Sequence, residues 1–165
     1  EADIAIRAKA RDTQPAPHLL GVHLAPLMMA NYVARAHADR LDPDRGAAGA
    51  RWIGFDDRRV QERMIAASSY PDLPVWGAFA SVDLMARATR RGFGVAMLPV
   101  YVGDPDPLLR RLARPDLLHI GDLWLLSQPD LRTNARLRAV RRCVRDALRA
   151  EAPLFRGEVP AGGGD

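Results

Sequence analysis

The sequence predicts an α/β fold built on a largely parallel sheet, and three observations carry that prediction. Strand-like and helix-like stretches alternate along most of the chain. One stretch, Ser81 to Pro99, runs through a cap serine, a helical apolar face, a glycine stop and an apolar strand closed by proline. An apolar strand, Leu123 to Ser127, comes late and directly precedes a long final helix.

The elements follow in order. Asp3 to Arg7 alternates polar and apolar residues, with Ile4 and Ile6 on one face, which predicts a strand ending at Arg7. Leu20 to Val33 holds a second extended run, entered past Pro26. Leu41 to Ala50, with its proline and glycines, is a loop. Arg51 to Phe55 is a short strand closed by Asp56 and Asp57, and Arg59 to Ala67 is a helix with Val60, Met64 and Ala67 on one side. Val75 to Ala80 is a strand. Val82 to Arg91 is a helix whose apolar side carries Leu84, Met85 and Ala88; Gly92 ends it, and Gly94 to Leu98 is a strand stopped by Pro99. After a turn over Gly103 to Pro107, Leu108 to Leu112 reads as one or two helical turns. The last helix begins at Thr133 or Asn134 and ends near Ala150, with Leu137, Val140, Val144, Ala147 and Leu148 as its apolar stripe. The glycine-rich residues from Arg156 to Asp165 are expected to form a frayed tail.

A chain of 165 residues, 48% hydrophobic and 27% charged, has the composition of a globular protein with one compact domain or two small lobes. Its longest apolar stretch, Leu19 to Ala34, is broken by His23, Pro26 and Asn31 and is too short to span a bilayer. The opening residues lack an apolar signal core, and a single cysteine, Cys143, fits a reducing compartment, so the expected location is the cytoplasm. A formal charge of +4 suggests nucleic acid, yet the arginines are spread among nearly as many acids and no basic run is interleaved with stacking aromatics.

Five pieces of sequence, in order and spacing, resemble the effector-binding domain of LysR-type transcription regulators. They are EADIAIR at Glu1 to Arg7, LAPLMMANYVARA at Leu24 to Ala36, WIGFDD at Trp52 to Asp57, FASVDLMARATRRGFGVAMLP at Phe79 to Pro99, and LWLLSQPDLRTNARLRAVRRCVRDAL at Leu123 to Leu148. The resemblance implies two Rossmann-like lobes joined by two crossover strands, a type 2 periplasmic-binding-protein-like fold, with the first lobe incomplete. Lobe one would hold residues 1–30 and 123–150, lobe two residues 31–122, and 151–165 would be a C-terminal extension. It further implies a small-molecule effector held between the lobes and a homodimer or higher oligomer. DNA would be contacted only through a helix-turn-helix region absent from this chain, and no membrane or cofactor is involved. A transport-type binding protein of the same two-lobed fold is the alternative, favoured if an export signal precedes the chain.

Seven residues are candidates for the effector site. A helix start leaves amides unpaired and carries partial positive charge, so Ser81 and Val82 could hold a carboxylate. The residues alone favour an ordinary cap, which implies no ligand, and Asp83 in the first turn would compete with an anion for the same field. By the resemblance this helix start faces the ligand. Arg7 could fork onto a carboxylate, although an exposed surface arginine is its more usual state. Phe55 and Tyr101 could supply apolar wall, with core packing an equally good account of Phe55. Pro99 and Val100 border the site by resemblance. Trp52, Trp76 and Trp124 read as core residues. The arginines of the last helix either meet an acidic partner or are solvated.

Enzyme readings find no support. His18, His23, His37 and His119 are scattered without metal-ligand spacing. No serine sits in a Gly-x-Ser-x-Gly elbow, and Gly92 to Met97 starts like a dinucleotide fingerprint but leads into a strand.

Overall fold

The computed structural model describes residues 3–129 and 134–158, and the chain separates into two compact units. Residues up to Met28 together with His119–Glu158 form one; Met29–Leu118 form the other. The chain passes from one to the other twice, within one strand and at the start of another.

The first unit is a three-stranded sheet with a helix. β1 (Ile4–Ala10) pairs antiparallel with β7 (Leu118–Ser127), Ile6 opposite Leu125 and Arg7 opposite Trp124. The first half of β2 (Leu20–Ala34) lies on the other side of β7. Pro26 removes one donor from β2 without ending it, because its fixed φ suits extended backbone. α5 (Ala135–Ala150) is capped by the Asn134 side chain, which accepts from the amides of Arg136 at 3.0 Å and Leu137 at 3.3 Å. Thr133, the alternative start, lies outside the described residues. A short α6 (Ala152–Phe155) follows, tucking Phe155 inward.

The second unit carries the main core. Here β2 is flanked by β5 (Val95–Pro99) and β6 (Leu109–Arg111), both antiparallel to it, while β3 (Trp52–Phe55) runs parallel to β5 and to the edge strand β4 (Val75–Phe79). α1 (Ala38–Leu41), α2 (Arg58–Ala66), α3 (Val82–Arg90) and α4 (Val100–Gly103) complete it. Tyr32, Leu41, Trp52, Ile53, Met85, Val95, Leu98 and Leu109 are fully buried. Gly92 takes φ +72°, and the amides of Gly92 and Phe93 bond back to Thr89 and Ala88, a two-bond helix stop that requires a left-handed residue.

The α/β class is as expected, but several details differ. The sheet is mixed: β3 pairs parallel with β4 and β5, whereas β1 with β7 and β2 with β5 and β6 pair antiparallel. Leu108 to Leu112 is not helical: Leu109 and Leu112 point into the core because Tyr32–Ala34 offers β6 a free backbone edge. β1 and β7 are longer than expected, so Arg7 sits in mid-strand. Trp52 is core, donating to the Tyr70 carbonyl at 3.0 Å, but Trp76 is 42% exposed on edge strand β4, stacked on Phe93. α5 buries no residue fully, and Val140 of its apolar stripe turns away from the sheet. Residues 156–158, expected in a tail, instead form a second two-bond helix stop with Gly157 at φ +68°; 159–165 lie outside the described residues.

Candidate functional site

Because β3, β4 and β5 run parallel, their C-terminal ends share one edge of the second unit. There the chain leaves β3 at Phe55, β4 at Phe79 and β5 at Pro99, and the Asp56 amide donates to the Phe79 carbonyl at 3.2 Å. Ligands in open α/β sheets bind outside the carboxyl ends of the strands, where loops and helix starts converge. Six of the seven candidate residues, Phe55, Ser81, Val82, Pro99, Val100 and Tyr101, stand at this edge. Arg7 does not; it is exposed on β1 of the other unit.

The two long helices that begin at this edge differ in one respect. At α2 the Asp57 carboxylate accepts from the amides of Arg59 at 2.9 Å and Val60 at 3.1 Å, so a built-in anion fills that helix start. At α3 Ser81 occupies the cap position with extended backbone, yet its side chain makes no cap hydrogen bond. Asp83 does not fill the gap, because its carboxylate pairs along the helix with Arg87 Nε at 2.9 Å. The start of α3 is therefore not capped by a side chain, and Asp83 keeps its charge in the first turn while pairing with Arg87.

The remaining candidates divide between wall and support. Phe55, Ser81, Val82 and Tyr101 are half-buried, whereas Pro99 and Val100 are buried and act from behind. Burial pushes the Tyr101 phenol above its ordinary value, which keeps it neutral. The gap beside Phe55, between β3 and α2, has a free volume of about 10 Å³, room for one water at most, so Phe55 is packed there. Gly54 permits that packing: a Cβ would lie 2.1 Å from the Gln61 side-chain oxygen.

Sequence reasoning missed what holds this edge from below. Asp104, just past α4, has a fully buried carboxylate that accepts from Tyr32 Oη at 2.7 Å and from Arg111 Nε and Nη2 at 2.9 and 2.7 Å. Burial, with the Asp104 carboxylate next to it, pushes the Tyr32 phenol far above its ordinary value. Gly103 lies against the Tyr32 ring, where a Cβ would come within 2.3 Å. In the sequence Asp104 and Asp106 read as turn residues flanked by prolines; only the fold brings Tyr32 and Arg111 to the first, and Arg90 to the second.

A helix start and three parallel strand ends on one edge define an open α/β domain. The sequence matches the LysR substrate binding domain over residues 1–149, and the chain belongs to that family, the effector-binding domain of LysR-type regulators. No curated protein matches it significantly. Among solved structures it is similar to the effector domain of the transcriptional regulator AmpR of Pseudomonas aeruginosa, at 19% identity and TM-score 0.67 over 91% of this chain and 73% of that one. The LysR-type regulator CrgA from Neisseria meningitidis gives 18% identity and TM-score 0.71 over 88% of this chain and 52% of that one. Full-length LysG from Corynebacterium glutamicum, solved with bound effector Arg, gives 18% identity and TM-score 0.59, with 88% and 51% covered. This chain thus spans about half the length of those two regulators. Among the described residues no helix is long and apolar enough to cross a membrane.

Proposed function

We propose that this chain is the sensing part of a LysR-type regulator and takes a small carboxylate effector at the start of α3. The observation that carries the reading is the contrast between two helix starts on one strand edge: Asp57 fills that of α2, while Ser81 leaves that of α3 uncapped. The amides there favour an anion. The Ser81 hydroxyl, without a cap bond, is free to turn to the ligand, and Val82, Phe55 and Tyr101 supply wall. In this reading residues 1–30 and 123–150 are the first lobe and 31–122 the second. Occupancy matters only through a difference in affinity between two states of the domain. A helix-turn-helix region of the parent protein, acting as a dimer or higher oligomer, would carry the response to DNA.

The test is a thermal-shift screen of the chain against aromatic acids, amino acids including arginine, and small dicarboxylates. A ligand present at a hundred times its Kd adds about 2.7 kcal/mol to the folded state. The expected result is stabilisation by at least one carboxylate, lost in Ser81→Ala and kept in Arg63→Ala. Arg7→Ala belongs in the same panel, since it decides whether the first unit contributes to binding. A stabilising ligand indifferent to Ser81 would place the effector elsewhere and overturn the reading.

A further inference from the structure

The first unit holds a second feature that the effector reading does not use. Along one flank of α5, beside Val22 of β2, runs an open groove of about 680 Å³ whose polar lining is Arg138, Arg141, Arg142 and Arg145, with Ala135 and Ala139 between them. These arginines recur at three- and four-residue spacing, so the helical repeat stacks them on one face over roughly 10 Å. Like charges so placed repel one another. α5 carries six arginines and one acid, Asp146, and among the described residues that acid pairs with Arg145, its neighbour, at 3.4 Å. Arg138, Arg141 and Arg142 have no carboxylate partner among the described residues. Arg138 and Arg142 are exposed and Arg141 and Arg145 half-buried, and all four line the same open groove.

We propose that this groove binds a compact phosphate-bearing polyanion, a di- or triphosphate group. Guanidinium forks match phosphate oxygens two at a time, and four forks along one face require several anionic oxygens in one short group. The volume lies in the range of small-ligand sites. Val22, Ala135 and Ala139 form the apolar part of the wall, against which an organic group attached to the phosphates would lie. The site lies in the first unit and stands or falls independently of the effector reading.

The test is calorimetric titration of the full chain with inorganic triphosphate at about 150 mM salt, where loose surface attraction is screened. Saturable binding is expected, weakened about tenfold or more by Arg138→Gln with Arg142→Gln. A charge-matched control, Arg63→Gln with Arg136→Gln, should change affinity by less than about threefold, because neither residue lines the groove and each acts only through the screened field. Arg142→Lys keeps the charge but removes the fork, and should still cost about threefold or more; it also keeps the test decisive if the double variant does not fold. Equal loss in groove and control variants would make the arginines a general positive field and overturn the proposal. So would the absence of saturable binding, or a DNA duplex that outcompetes triphosphate with the same arginine dependence.

Discussion

Replacing Asp57 and Ser81 by alanine separates two cap positions that the sequence cannot tell apart. Both residues precede a nine-residue helix of the second unit with extended backbone. Asp57 accepts two amide hydrogen bonds and places a carboxylate at the positive end of α2. Losing the cap costs about 1 kcal/mol, and losing the charge about 0.3–1 kcal/mol more. Asp57→Ala should therefore lower stability by about 1–2 kcal/mol and the melting temperature by roughly 2–8 °C for a chain of this size. Ser81 makes no cap bond, so Ser81→Ala has none to lose and should change stability by less than about 0.5 kcal/mol. Urea unfolding followed by tryptophan fluorescence reads both variants, and because both helices lie in one unit they report on one transition. If Ser81→Ala destabilises as much as Asp57→Ala, the serine is an ordinary cap, and the case for α3 as the effector's helix start falls with it.

Three further outcomes follow from the same structure. Asp104→Ala should lower stability by about 3–5 kcal/mol in urea unfolding, because the Arg111 guanidinium and the buried Tyr32 hydroxyl both lose their shared partner; a loss below about 1 kcal/mol would make the triad incidental. Gly92→Ala should cost about 1 kcal/mol or more, since φ is +72° and a Cβ would lie 2.3 Å from the His37 ring; a neutral result in thermal melts would contradict that. Asp122 accepts hydrogen bonds from His23 Nε2 at 2.9 Å and His119 Nε2 at 3.2 Å. Burial pushes its carboxyl up, but those bonds outweigh it and hold the group below its ordinary 3.8. A depressed carboxyl binds fewer protons folded than unfolded, so its stabilisation is present above pH 3.8 and lost as the pH falls through the lower folded value. Asp122→Asn should flatten that acid limb of a stability–pH curve; an unchanged limb would show that the histidine bonds do not matter.

Much of this fold was legible because local and tertiary preferences agree. The stretch from Ser81 to Pro99 carries its cap position, left-handed glycine and closing proline in the chain, and these stand where expected. Of the expected apolar face Met85 and Ala88 are buried, but Leu84 is 48% exposed and Ala86 and Thr89 take its place against the core. Leu108 to Leu112 was not legible, since two leucines four apart suit a helix face, and only the free edge of β2 makes this segment a strand. Trp76 failed for a related reason: its apolar run matches a buried strand, but position in the sheet order leaves β4 at an edge. The candidate residues at the strand ends could be named from the sequence and its resemblance, while Asp104 could not. Its partners lie 72 and 7 residues away, and nothing in a proline-flanked aspartate announces them.

The placement of the three tryptophans gives the chain an unlabelled optical readout of each unit. Trp124 stands in the first unit, edge-on to His23 at 5.4 Å, while Trp52 and Trp76 stand in the second. Trp52 is sealed in the core, and Trp76 is open to water with Arg51 over its ring at 5.4 Å. An aqueous quencher therefore removes Trp76 emission first and spares Trp52. With Trp76 replaced by phenylalanine, red shifts from Trp52 and Trp124 would follow the exposure of the two units, one indole in each.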